Sequence, residues 1–112
     1  MHRTSIAQLL EHAGTEILIA GFVTTTRVQK RMIFVMVEDR TGSVQVTLER
    51  ARPDATQASL EQVALGLTVG SAITVRGVAS RNPAVKSGGV ELLASRIEVA
   101  GVAEPGLPID EH

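Results

Sequence analysis

The stretch Met32 to Glu49 constrains the fold more than any other part of this chain. Ile33, Val35 and Val37 alternate with Met32, Phe34, Met36 and Glu38; Val44, Val46 and Leu48 then alternate with Ser43, Gln45, Thr47 and Glu49. A strict period of two puts each apolar set on one face of a strand, and a helix cannot reproduce that segregation. Between the runs lies Asp39-Arg40-Thr41-Gly42, whose Asp and Gly suit a tight reversal. The two runs therefore form a hairpin with one aliphatic face to bury. The same parity recurs at Ile73 and Val75, and all of these residues are expected inside a barrel, with Phe34 and Gln45 on its outer face.

The flanks extend the pattern. Glu16 to Arg27 is rich in β-branched residues and reads as a long strand, with Gly21 marking a bend or bulge. Val28 to Arg31 is a short basic loop, so residues 16 to 49 make a three-stranded meander. Asp54 is placed to cap a helix to about Leu65, with Leu60, Val63 and Ala64 on its apolar side and Gly66 as its stop. Ser71 to Ala79 and Val90 to Val99 are the fourth and fifth strands, separated by the polar loop Arg81 to Gly89. At the N-terminus, Thr4 is placed to cap a helix from Ser5 to His12 that Gly14 ends. Three strands, a helix and two strands predict an all-β OB-fold: a five-stranded Greek-key barrel with an N-terminal helix and a helix between strands three and four. Residues 1–104 are expected to be one domain, and 105–112 an extended tail containing Pro105, Gly106 and Pro108.

Composition narrows the function. A net charge of -1 argues against a duplex-DNA binder that depends on many phosphate contacts. The absence of cysteine excludes disulfides and thiolate metal sites. His2, His12 and His112 are too scattered for a metal site, no serine has a paired base, and Gly88-Gly89 is too short to cradle a phosphate. Neither a catalytic constellation nor a cofactor is expected. No leader and no apolar run long enough for a membrane span are seen, which suits a cytoplasmic setting.

With two Phe and no Tyr or Trp, a base-stacking surface must rest on very few residues. Phe34 is the best placed, since aromatic rings on an outer strand face stack unpaired bases. Gln45 shares that face, and its amide offers both a donor and an acceptor to a base edge. Arg27, Lys30 and Arg31 are three cations within five residues beside it, suited to phosphates. Arg81 and Lys86 lie in the loop that borders the binding cleft of an OB-fold. Each residue also has a plain reading as a solvated charge, a strand-face polar group or a ring packed under the N-terminal helix.

The ordered set of motifs resembles one family. His2-Arg3-Thr4, Ile19-Ala20-Gly21-Phe22-Val23, MIFVMVEDRTGSVQV (32–46), Val69-Gly70-Ser71 through Gly77-Val78, GGVELLASRIEV (88–99) and Leu107-Pro108-Ile109-Asp110 are similar to the N-terminal anticodon-binding OB domain of class IIb aminoacyl-tRNA synthetases, aspartyl and asparaginyl branch. The resemblance implies tRNA or another single-stranded nucleic acid as partner. It implies that Phe34 stacks on an anticodon base, that Gln45 reads the central uridine, that Arg27 lies near the anticodon, and that Glu91 accepts from a base amino group. The chain departs from the family at Thr24-Thr25-Thr26, where arginine is usual, and at Glu38, where aspartyl enzymes carry arginine. Aminoacylation is not implied, because the catalytic domain needs several hundred further residues. Three rivals stay open: a general single-stranded DNA or RNA module, a protein-interaction domain or homodimer without RNA binding, and a fragment of a longer synthetase.

Overall fold

In the computed structural model, residues 3–50, 55–85 and 89–101 are described. Five strands, β1 (Glu16–Val28), β2 (Met32–Asp39), β3 (Gly42–Glu49), β4 (Ala72–Arg81) and β5 (Val90–Gly101), close into a barrel in the order β1-β2-β3-β5-β4. All neighbouring pairs are antiparallel except β3 and β5, which run parallel through Gln45–Glu91, Val46–Leu92 and Thr47–Leu93. A 3-10 helix (Ile6–His12) precedes β1, and α1 (Ala55–Leu65) connects β3 to β4. This is the OB-fold architecture that the strand order predicts.

The period-two parity determines what lies inside. Ile33, Val35, Val37, Val44, Val46, Ile73 and Val75 are all fully buried, joined by Ile19, Val23 and Leu92. Burying one such side chain contributes roughly 1.5–3 kcal/mol, so this interior is the main stabiliser of the domain. Leu60 and Ala64 of α1 are buried against the barrel, with Val63 partly covered beside them. Asp54, the expected cap of this helix, lies outside the described residues.

β1 serves two partners: its first half pairs with β4 and its second half with β2, and Phe22 pairs with both. The register shift falls between Val23 and Thr25 rather than at Gly21. Gly21 answers a different need, because a Cβ there would stand 2.5 Å from the Glu38 carbonyl oxygen. It permits close backbone approach where β1 changes partner.

Two sequence expectations are corrected. The N-terminal helix is a 3-10 helix and Thr4 does not cap it; the Thr4 N–H instead donates to the Leu18 carbonyl (2.7 Å), and Ser5 at the cap position makes no side-chain cap bond. The first helical N–H groups are satisfied from the β2–β3 turn: Ile6 N–H donates to Asp39 Oδ2 (3.0 Å) and Ala7 N–H to Thr41 Oγ1 (3.1 Å). Gly14, with φ of 89°, then ends the helix as expected. Thr47, expected outside with Gln45, is buried, because β5 closes against β3 at that level and covers it.

Candidate nucleic-acid interface

Two rows of residues run across the outer face of β2 and its neighbours. One row places Arg27, Phe34, Thr47 and Leu93 opposite one another on β1, β2, β3 and β5. The adjacent row places Thr25, Met36, Gln45 and Glu91 on the same four strands. The rows arise from the pairing register: alternation sends Phe34, Met36 and Gln45 away from the aliphatic interior, and the ladder aligns them across strands.

These rows form the floor of an open cleft of about 490 Å³, lined by Arg27, Phe34, Met36 and Gln45. Its wall comes from the β4–β5 loop through Asn82, Ala84 and Val85. The volume lies within the roughly 300–1,000 Å³ typical of small-ligand sites and is ample for an unpaired base. Phe34 and Met36 are half-buried, so they offer apolar surface without being lost to the core. Arg27 is exposed at the rim, beside Phe34. The cleft thus brings together an aromatic ring, a side-chain amide and a guanidinium.

Lys30 and Arg31 are exposed on the β1–β2 connection, beyond the cleft lining. There the Gln29 N–H donates to the Met32 carbonyl (2.8 Å), and the Arg50 N–H to the Arg31 carbonyl (2.8 Å). Arg81, exposed at the end of β4, pairs with Val90 and is not part of the lining. Lys86 lies outside the described residues.

Glu91 is half-buried beside Gln45, with its carboxylate already engaged: Thr47 Oγ1 donates to Oε2 (2.9 Å) and Asn82 Nδ2 to Oε1 (3.3 Å). Asn82 is held in turn, its Oδ1 accepting from the Ala84 N–H (3.2 Å). The Gln45 Nε2 donates to Thr47 Oγ1 (3.4 Å). Sequence reasoning missed Met36, which shares the parity of Phe34, and the loop residues Asn82, Ala84 and Val85. Parity could have identified Met36; nothing local to the loop could have shown which of its residues face the sheet.

At the other end of β2, Asp39 accepts from the Thr41 hydroxyl, from the N–H groups of Thr41 (2.7 Å) and Gly42 (3.1 Å), and from Ile6. Partial burial pushes its carboxyl upward, but the bonds from the Thr41 hydroxyl and the Ile6, Thr41 and Gly42 N–H groups outweigh this, and its pKa is lowered. This group belongs to the fold, away from the cleft. Among the described residues no group of His, Asp and Glu could hold a metal ion.

Comparison with known proteins gives a consistent picture. The family described as OB-fold nucleic acid binding domain (tRNA anti-codon) matches residues 17–100. The aspartate–tRNA(Asp) ligase of Pyrobaculum aerophilum is 38% identical over 97 residues, covering 87% of this chain and 22% of that protein. The chain spans about a fifth of the length of the curated relatives it matches. Among solved structures, the asparaginyl-tRNA synthetase of Pyrococcus horikoshii superposes with a TM-score of 0.78 at 24% identity, over 92% of this chain and 23% of that one, which shows the shared fold. A chain of nearly the same extent, an OBody bound to hen egg-white lysozyme, is 28% identical with a TM-score of 0.77 and covers 98% of both chains.

Proposed function

The chain belongs to the OB-fold nucleic acid binding domain family, and from that premise we propose that it binds the unpaired loop of a tRNA anticodon arm through the Arg27–Phe34–Gln45 cleft. The observation that carries the reading is the convergence of these three residue types, from three strands, on one open cleft ample for an unpaired base. Phe34 stacks a base, Gln45 contacts a base edge, and Arg27 holds a phosphate, with Lys30, Arg31, Arg81 and Lys86 adding charge along the strand's path. The kinship with aspartate and asparagine tRNA ligases supports tRNA over a general single strand. Binding rather than catalysis is the activity of this domain, and a cytoplasmic setting suits it.

The test is an affinity panel of anticodon stem-loops, unstructured RNA and single-stranded DNA, with parent protein and Gln45→Ala. The reading expects the tightest binding to a subset of stem-loops, and a loss in Gln45→Ala confined mainly to that subset. Equal affinity for every strand, DNA included, would replace it with the general single-strand module. No binding to any strand would favour the second reading, a protein-interaction domain. That rival gains weight from Thr24-Thr25-Thr26 where arginine is usual, and from the lysozyme-bound OBody of the same fold.

A further inference from the structure

The chain has two aromatic residues, and the β1–β2 ladder carries both on its outer side. Phe34 lines the cleft; Phe22, on β1, lies beyond it and is 48% exposed. The register relates them: Arg27 lies opposite Phe34, Thr25 opposite Met36 and Phe22 opposite Glu38, while the buried Val23 faces the buried Val37 between the last two pairs. Phe22 and Arg27 are five residues apart, an odd spacing that sends side chains to opposite faces of a regular strand. The bulge between Val23 and Thr25 supplies the extra residue that returns both to the outside. Phe34, Met36 and Phe22 therefore follow one another along one face.

The neighbours of Phe22 leave its ring open. Its β4 partner is Ala72, whose methyl group is too small to cover a ring. Its β2 partner is the exposed Glu38, whose carboxylate repels a phosphate. The partner suited to this place is thus a base rather than the nucleic-acid backbone, and a ring with a free face stacks any base. Four residues of β2, from Phe34 to Glu38, separate the two rings, about 13 Å at about 3.3 Å per residue. One base cannot touch both rings, so a strand has to run along the face to reach them.

Building on the reading of the Arg27–Phe34–Gln45 cleft as an RNA site, we propose that Phe22 is a second stacking platform, which takes a further unpaired base from a strand leaving the cleft past Met36. The interface is then a track with two rings, one inside the cleft and one outside it.

The chain has no tryptophan, so Phe22→Trp and Phe34→Trp each introduce a single fluorophore at a known place. The probes are oligouridylates of ten nucleotides and of two, the shorter being unable to span both rings. The longer RNA should quench the fluorescence of both variants at the same midpoint concentration. Phe22→Leu keeps the apolar bulk and loses the ring; it should weaken binding of the longer RNA by on the order of fivefold or more, leave the dinucleotide affinity unchanged, and be rescued by Phe22→Tyr. A merely structural role for Phe22 shifts both affinities together. Thermal melting confirms that each variant is folded, and if Phe22→Leu does not fold, the two tryptophan variants decide. Quenching in Phe34→Trp alone, with Phe22→Leu binding the longer RNA like the parent, overturns the second platform, leaves the cleft in place and gives Phe22 to a protein contact. Quenching in Phe22→Trp alone keeps Phe22 as a base platform and overturns the reading of the cleft. Quenching in neither overturns both.

Discussion

Asp39 and Glu91 are both partly buried carboxylates that accept several hydrogen bonds, yet they do opposite work. Three of the four donors to Asp39 are backbone N–H groups, from Ile6, Thr41 and Gly42, and the fourth is the Thr41 hydroxyl, two residues on. Both donors to Glu91 are side chains, from β3 and from the β4–β5 loop. A carboxylate that gathers main-chain amides fixes the path of the chain: Asp39 ties the N-terminal helix to the β2–β3 turn. One that gathers side chains leaves the path to the sheet and sets rotamers. The two regions can therefore be separated by mutation, one altering stability and the other recognition.

The largest effect expected is on the recognition side. Phe34→Ala should weaken binding to every unpaired RNA by roughly 1–3 kcal/mol, since every base has a face to stack. Its melting temperature should stay close to that of the parent, because Phe34 is only half-buried on the outer face. Calorimetric titration with melting as control measures both; a large loss of stability with unchanged affinity would put Phe34 in the core rather than the site.

Asp39→Ala should show the reverse pattern. It removes the acceptor of the first helical N–H and of the turn, a change of about 1–2 kcal/mol for losing such a cap. Melting should fall by roughly 4–8 °C per kcal/mol in a domain of this size, with RNA affinity of the folded fraction intact. An Asp39→Ala protein that melts normally but binds RNA poorly would collapse the distinction between the two carboxylates.

The pH dependence sharpens it further. The Asp39 carboxyl is held below its ordinary value of 3.8, so it stabilises the native state fully above that pH. This contribution is lost as pH falls from about 3.8 through the lowered native value, and Asp39→Asn should abolish that segment of the melting-temperature profile. The smallest effect belongs to the rim: Arg27→Ala and Arg31→Ala should each reduce the salt slope of RNA binding by roughly 0.7 if the cation holds one phosphate. A slope unchanged by both removes the Arg27 rim and the β1–β2 connection from the interface.

What could be read in the sequence follows the same division. The barrel interior was legible because alternation is a local property: Ile33, Val35, Val37, Val44 and Val46 declare their face without reference to the rest of the chain. Phe34 and Gln45 were legible as their complement. The cap of the N-terminal helix was not, because Asp39 lies 33 residues from Ile6 while Thr4 is a plausible cap close at hand. Thr47 was misjudged for a related reason: parity says which way a side chain points, but β5, arriving from 44 residues away, decides whether it stays in solvent. The engagement of Glu91 by Thr47 and Asn82 lay beyond any local rule for the same reason.

The parallel seam between β3 and β5 also bears on how the domain assembles. The β1–β2–β3 meander is made of hairpins whose partners are close in sequence, but Gln45, Val46 and Thr47 meet Glu91, Leu92 and Leu93 only after a long loop has closed. Loop-closure entropy must be met before such non-local contacts stabilise anything. A chain in which only the meander has formed displays Phe34 and Gln45 on a hairpin surface, yet it lacks the β5 partner and the loop wall. The cleft is therefore completed only at the final closure of the barrel, and a nascent chain can expose Phe34 well before the cleft around it exists.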